Sequence, residues 1–386
     1  MINIEILEKL NAPEKEQRLA NLAEILKTTE FPPVVPQYIN NHIHTTYSFS
    51  PYSPTAAVYA ARMEGLSTAG IIDHDSISGA REFIEAGELA GIPVTVGMEC
   101  RVSMKGTRLD GLRTNNPDQV GVSYMTIQSV PHGNIEKLNE FLRPYRAARG
   151  ERNRKMVAAI NELLPSLGLD YDAHVLPLSM AHEEGAVTER HLMYGLAKKL
   201  TAECGKGQPV IDTLEKLGLE LSEKQKAMLL DTAYPFYEYD LLGILKSAFV
   251  PKIFIDADEE CPSLAEMVKV CKDVDAYLCY AYLCDVGDSV TGDKKAQKFE
   301  DDYLDEVFEC LKEEGIRAVT YMPTRNTQAQ LTRLRGLCEQ YNMFQISGED
   351  INSPRQGFVI RAMEDPQFAK LIDATWELIR HEQETK

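Results

Sequence analysis

Two imidazoles, His42 and His44, stand two residues apart at the end of a short apolar run. Residues so spaced on a strand point to the same side. The two rings can therefore grip one cation while Asn41 and Ile43 face away. Farther along, Asp73-His74-Asp75, Glu99 and Asp350 each close another apolar segment. Imidazole mixed with carboxylate suits zinc, manganese or iron, whereas magnesium and calcium prefer all-oxygen shells. Glu99 can bridge two such ions, and Asp73 can receive a ring N–H and fix a ligand histidine. Asp75 or Ser76 also fits the N-cap of a helix starting near residue 78. A hydroxide formed on such a metal at neutral pH is a natural nucleophile for hydrolysis, and the metal also polarises the bond to be cleaved.

The elements that must carry these groups alternate. Residues 4–30 read as one or two amphipathic helices, broken by the prolines at 32, 33 and 36. Strands are expected at 38–44, 68–73, 92–98 and 120–130, with helices near 54–65 and 78–90 between the first three. From 132 to 245 the pattern is helical, with candidates at 134–148, 150–164, 188–203, 209–218, 222–231 and 238–247. Alternation then resumes, with strands at 276–283, 317–322 and 343–347 and helices at 300–314, 326–341 and 365–380. Strand–helix alternation signals parallel strands joined by helical crossovers. No Gly-rich dinucleotide loop follows the first strand, which favours a closed α/β barrel over an open sheet. The expected organisation is a helical extension at 1–36, a barrel from 37–131 and 246–386, and a helical insertion at 132–245. Chemistry in a parallel barrel gathers at the carboxyl ends of the strands, where His44, His74, Glu99 and Asp350 all fall.

Composition narrows the function further. The 386 residues carry a formal charge of −18, which argues against a nucleic-acid partner and disfavours an anionic membrane. An anionic small substrate then needs a local cationic pocket. No apolar run reaches the length of a transmembrane helix, and the start MINIEILEKLNAPEKEQ lacks the order of a signal peptide. Eight cysteines without a C-x-x-C pair read as reduced thiols of a cytoplasmic protein rather than as a structural zinc site. The oligomeric state is left open.

The segments NNHIHTTYS, TAGIIDHDSISGA, VTVGMEC and ISGEDIN resemble, in order, the four motifs of the PHP family, named after polymerase and histidinol phosphatase. Its pattern runs H-x-H-T-x-x-S, D-H-D, G-x-E and a closing G-S-D-x-H. RAARGERNRKMVAAINELL and VTERHLMYGLAKKL extend the likeness. The resemblance implies a distorted seven-stranded (β/α) barrel, two or three metals at the strand ends and, usually, phosphoester hydrolysis. By position it implies His42, His44, Glu99 and Asp350 as ligands of a first metal, His74 as a ligand of a third, and His191, preceded by Arg190, near the substrate. The chain departs from the pattern as well. Phe49 stands near an expected acid, Tyr282 at an expected histidine and Asn352 at the closing histidine, where its amide oxygen could still ligate. Residues 119–125 offer no counterpart of a further histidine. Asp285 or Glu349 could stand in for a lost ligand.

Phosphate recognition calls for arginine forks. Arg101 lies two residues past Glu99, and Arg325 follows a strand in TYMPTRNT; both are candidates, with Arg190 and Tyr282, for holding substrate. Tyr321 also ends a strand. His174 and His182 read as exposed, His132 as a turn residue, and the loop with Lys294 and Lys295 as solvated or as a lid. The expected function is metal-dependent hydrolysis of a small phosphorylated molecule, with His74, Asp73, His191 and Arg325 in catalytic roles. A C–N or C–O hydrolase on the same barrel, or a non-catalytic metal-binding protein, are the alternatives.

Overall fold

The computed structural model describes residues 2–286 and 297–384. The loop with Lys294 and Lys295 lies outside the described residues. Helices α1 (Ile4–Leu10) and α2 (Lys15–Leu26) come first, followed by β1 (Val35–Ile43), α3 (Pro54–Met63), β2 (Leu66–His74), α4 (Ala80–Ala90), β3 (Val94–Ser103) and β4 (Val122–Gln128). Then come α5 (Ile135–Leu163), α6 (Glu189–Cys204), α7 (Gln208–Lys216), α8 (Glu223–Leu230), α9 (Tyr237–Ile253) and α10 (Leu264–Asp273). The chain returns through β5 (Tyr277–Tyr282), α11 (Leu304–Glu313), β6 (Ala318–Tyr321), α12 (Gln328–Gln340), β7 (Phe344–Ser347) and α13 (Ala369–Glu384).

Local chemistry sets many of these boundaries. Ser53 caps α3 by accepting from the Ala56 N–H, with Pro54 at the first helical position. Ser263 with Glu266, and Thr327 with Gln330, form reciprocal caps on α10 and α12. Gly91, at φ 64°, ends α4 in the left-handed region.

The seven strands form one sheet in sequence order, curled into a nearly closed α/β barrel. β1, β2 and β3 pair in parallel, as do β5, β6 and β7, but β4 is antiparallel to both its neighbours. This corrects the expectation of an all-parallel set. No α-helix occupies residues 104–121, so the chain turns back after β3 and pairs as a hairpin would. Gly97 makes the close approach possible: a Cβ there would sit 2.2 Å from the Ile127 carbonyl oxygen. The barrel closes through one parallel bridge, Ile43 with Ile351. There His44 N–H donates to Ile351 O (3.0 Å) and Ile351 N–H to His42 O (3.1 Å).

Two large apolar cores result. The first fills the space between strands and outer helices and includes Leu7, Leu10 and Leu22 of the N-terminal helices. The second belongs to the helices after β4, where Leu192, Leu196, Leu241 and Leu245 are fully buried, each contributing about 1.5–3 kcal/mol. Helix α5 spans both, with Leu138 and Leu142 in the first and Met156 and Ile160 in the second. It is one 29-residue helix, not the two expected at 134–148 and 150–164. Gly150 lowers helix propensity without ending the helix, because packing on both sides sustains it. Helix α10, absent from the sequence reading, supplies the crossover before β5. Helix α13 plugs the amino end of the barrel, with Leu378 against Cys279, Ala318 and Ile346. No described helix is long and apolar enough to cross a membrane.

Candidate metal centre

The carboxyl end of β1 is bent inward by a register shift between Asn40 and Ile43. The Asn40 side chain fixes this bend: its Oδ1 accepts from His42 N–H and Glu349 N–H, both 3.0 Å, and its amide donates to Glu349 O at 3.1 Å. Asn41 turns away and donates to Ser347 O and Thr375 Oγ1 on α13, while Ile43 enters the main core. Gly348 lets the last loop lie directly on this strand, since a Cβ there would be 2.7 Å from the His42 Cβ. The segment around residue 350 thus reaches residue 44 although most of the chain separates them.

The result is a tight cluster. Glu99 Oε1 lies 3.4 Å from His42 Nε2, 3.3 Å from His44 Nε2 and 3.2 Å from His74 Nδ1. Asp350 Oδ1 is 3.2 Å from His44 Nε2. Donor atoms of His42, His44 and Asp350, and of His44, His74 and Glu99, each lie within 4.8 Å of one another. His42 Nε2 and His44 Nε2 are buried with no hydrogen-bond partner. Unpartnered buried nitrogens are costly, and these two are aimed at carboxylate oxygens in the manner of ligand atoms. Three imidazoles with two carboxylates fit a borderline transition ion.

The electrostatics agree. Burial pushes the Glu99 carboxyl up, but the facing His74 and His42 rings overcome this and hold it well below its usual range. Asp350 is likewise held low: His44 and His42 outweigh its burial. Burial disfavours a charged His44, yet Asp350 and Glu99 raise its pKa to about 10. A cation on His44 must displace that proton, so its affinity falls with acidity. Burial, with His44 and Arg149 nearby, lowers His74 to about 3 despite Glu99, and keeps its ring neutral.

The other His44 nitrogen is held through an intermediary. His44 Nδ1 is 3.2 Å from Ser48 Oγ, and Ser48 donates to Asp73 Oδ1 at 2.6 Å. Thr45 adds its N–H to Oδ1 (2.7 Å) and its hydroxyl to Oδ2 (2.6 Å). Asp73 thus reaches His44 through Ser48, and the direct ring contact expected of it is not made. Ser48 went unnoticed in the sequence although it is the serine of the first motif.

Several other expected residues have different surroundings from those anticipated. Asn352 is not turned toward the cluster as a ligand. Its Nδ2 donates to Asp350 Oδ1 and its Oδ1 accepts from Arg190 Nη1, both 2.6 Å, so the amide bridges the two. His191 Nδ1 accepts from the Thr188 N–H at 3.0 Å and caps α6, its ring edge-on to Phe49. Burial, with Arg149 and Arg190 nearby, lowers its pKa to about 3. Arg101 is not free at the mouth. It is buried and donates to Glu189 and Glu260, 2.9 Å each. Arg149 and Arg152 join this network through Asp75, Glu189 and Glu260. Asp75 is thus an ion-pair partner and not a helix cap, since Gly79 stands at that position. None of the network beyond Asp75 and Arg101 was anticipated; RAARGERNR held the signal, with arginines three apart on one helix face.

Arg325 does fall at the carboxyl end of β6, and its Nε and Nη2 are buried without a partner. Tyr282 donates to Asp301 at 2.6 Å, and Tyr321 to Gln345 at 3.2 Å. Asp285 is bonded to the Phe299 N–H and paired with Lys298, 2.7 Å each, and Glu349 to the Thr324 N–H. Neither belongs to the grouped ligands. His182 is exposed, whereas His174 binds the Asp170 N–H and His132 faces Glu382 at 3.5 Å.

Comparison with known proteins places this geometry. No curated protein matches the chain. A solved structure from Bifidobacterium adolescentis, provisionally named a metal-dependent phosphoesterase, is similar at a TM-score of 0.56 and 19% identity over 91% of this chain and 98% of that one. An amidohydrolase from Chromobacterium violaceum, solved with sulfate and no metal, has a TM-score of 0.54 and 15% identity over 87% of this chain and 96% of that one. At such identities the likeness establishes the barrel alone. The profile of the PHP domain matches residues 40–316, most of the chain and every residue of the cluster but Asp350, and the chain therefore belongs to the PHP domain family.

Proposed function

We propose that the chain is a metal-dependent hydrolase, a phosphoesterase acting on a small phosphorylated molecule. The observation that carries this reading is the convergence of His42 Nε2 and His44 Nε2, buried and unpartnered, on Glu99 and Asp350. These four residues would hold a zinc, manganese or iron ion; the number of ions is left between one and three. When bound, such an ion lowers the pKa of water and draws charge from the scissile ester.

The remaining tasks fall to the chain's own groups. His74 is neutral near pH 7, 22% exposed and faces Glu99, which suits a ligand of a second ion better than a proton carrier, whose pKa should lie near the working pH. Asp73 and Ser48 keep the His44 proton on Nδ1, leaving Nε2 to ligate. Arg325 offers two buried donors with no acceptor, the requirement for holding an oxyanion against an overall charge of −18. Eight unpaired thiols support a reducing compartment such as the cytoplasm.

A second reading, C–N or C–O hydrolysis with one ion, draws on Phe49 and Asn352. Phe49 packs among Tyr194, Tyr239 and His191, and both ends of the Asn352 amide are engaged, which leaves fewer ligands. A panel of phosphoesters, amides and lactones, run with zinc, manganese and iron, separates the two. Turnover of phosphoesters that His44→Ala abolishes is expected. Turnover confined to amides or lactones would replace the first reading with the second. No turnover with a tightly held ion would favour a binding protein.

A further inference from the structure

Beside the metal centre, a cavity of about 270 Å³ opens between α5 and the segment around residues 176–187. Three arginines line it from one face of α5, at positions 143, 146 and 149. Their charges are not equally balanced. Arg143 donates to Glu184 at 2.8 Å. Arg149 is paired with Asp75 and Glu189, within a network of three arginines and three carboxylates that is neutral as a whole.

Arg146 is the one left over. Its side chain is only 9% exposed and its nearest carboxylate, Glu184, is 3.8 Å away. It donates to two main-chain carbonyls, Asp75 O at 3.2 Å and Asn139 O at 3.4 Å. A buried cation with partners this weak is destabilising until an anion joins it. Burial lowers its pKa in spite of Glu184 and Asp75. A second donor waits on the same wall: Arg149 is 4% exposed and its Nε has no partner.

The cavity is also kept open by the sequence of α5. Gly150 lines it in mid-helix, where glycine costs about 1 kcal/mol against alanine. A Cβ there would meet nothing nearer than the Tyr171 hydroxyl at 3.8 Å. The helix thus forgoes stability at the residue that would fill the space.

We infer that this cavity binds the phosphate group of a small molecule, with Arg146 and the Arg149 Nε as its donors, at a site separate from the metal cluster. None of the ligand histidines lines the cavity. The two sites meet through Asp75, which follows His74 directly and binds Arg149 by its carboxylate and Arg146 by its carbonyl. The inference does not depend on what the metal centre hydrolyses.

The test is calorimetric titration of the metal-loaded protein with inorganic phosphate and with methylphosphonate, which cannot be hydrolysed as an ester. The wild type should bind two equivalents. Arg146→Gln and, separately, Gly150→Leu should each lose one of them, its affinity falling at least tenfold, while Arg325→Gln should weaken only the other. Gly150→Leu leaves every arginine in place, so it decides the matter if Arg146→Gln does not fold. Binding of the same number of anions at unchanged affinity in Gly150→Leu and in any folded Arg146→Gln protein would overturn the inference. So would a single equivalent that only Arg325→Gln weakens.

Discussion

Replacing Asp73 by alanine should cripple metal binding without touching a ligand. An ionised carboxylate only accepts hydrogen bonds. Asp73 therefore obliges Ser48 to donate to it, which leaves the Ser48 oxygen to accept from His44 Nδ1–H. That order of donors puts the His44 proton on Nδ1 and clears Nε2 for the cation. Asp73→Ala removes Oδ1, the oxygen that the Ser48 hydroxyl and the Thr45 N–H both reach. With that acceptor gone, the Ser48 hydroxyl turns to donate toward His44, which moves the ring proton onto Nε2, the atom 3.2–3.3 Å from Asp350 and Glu99. Loss of such an outer partner commonly costs 10–100-fold in metal affinity, about 1.4–2.7 kcal/mol. Ser48→Ala only leaves Nδ1–H without an acceptor, so it should fall near the lower end. Competition titration of zinc or manganese against a chromophoric chelator reads both. Wild-type affinity in a folded Asp73→Ala protein would show that the Ser48 relay does not set the His44 tautomer.

Other outcomes follow from the same geometry. His44→Ala should reduce bound metal to background and abolish metal-dependent turnover, checked by elemental analysis and assay on one preparation. Arg325→Gln should lower kcat/KM for phosphoesters by roughly 10–100-fold, the loss of one to two charged hydrogen bonds, with metal content unchanged. Glu189→Gln removes the carboxylate shared by Arg101, Arg149 and Arg152; denaturant unfolding should show a loss of about 3–5 kcal/mol. The last concerns Glu382 at the opposite end of the barrel, where burial raises the pKa to about 7 although His132, Thr95 and the Val96 N–H pull it down. The folded state holds this proton where the unfolded chain has lost it, so the contribution to stability falls as pH rises toward 7. Between pH 5.5 and 8 the wild type should lose about 2 kcal/mol that Glu382→Gln does not, measured by urea unfolding at both values. Parallel pH dependence in the two proteins would refute the assignment.

Most of the chemistry-bearing residues were legible because they end strands, and strand ends in a barrel share one face; Glu99 lies inside β3, which runs on to Ser103. His42, His44, His74, Glu99 and Asp350 could be grouped from type and position alone, before any coordinate tied residue 350 to residue 44. Hydrogen-bond partnership was less legible. Arg101 has the position of a phosphate ligand, but whether its guanidinium is free depends on Glu189 and Glu260, which approach from other elements. Asn352 stands one place past a backbone bridge to β1, yet its amide orientation follows from Arg190 on α6. The direction of β4 was missed because alternation of apolar residues carries no information on strand polarity; only the lack of a helix between 104 and 121 hinted at it. Gly150 split the expected α5, since local propensity cannot register two cores packing against one helix.

The central claim is that segments far apart in sequence fold to place His42, His44, Glu99 and Asp350 around one transition ion. Anomalous scattering from a crystal of the metal-loaded protein, collected above and below the absorption edge of the bound element, tests it most directly. A peak within coordinating distance of His42 Nε2, His44 Nε2, Glu99 and Asp350 is expected. A metal-loaded crystal with no peak there, or with its ion held elsewhere on the chain, would contradict the account.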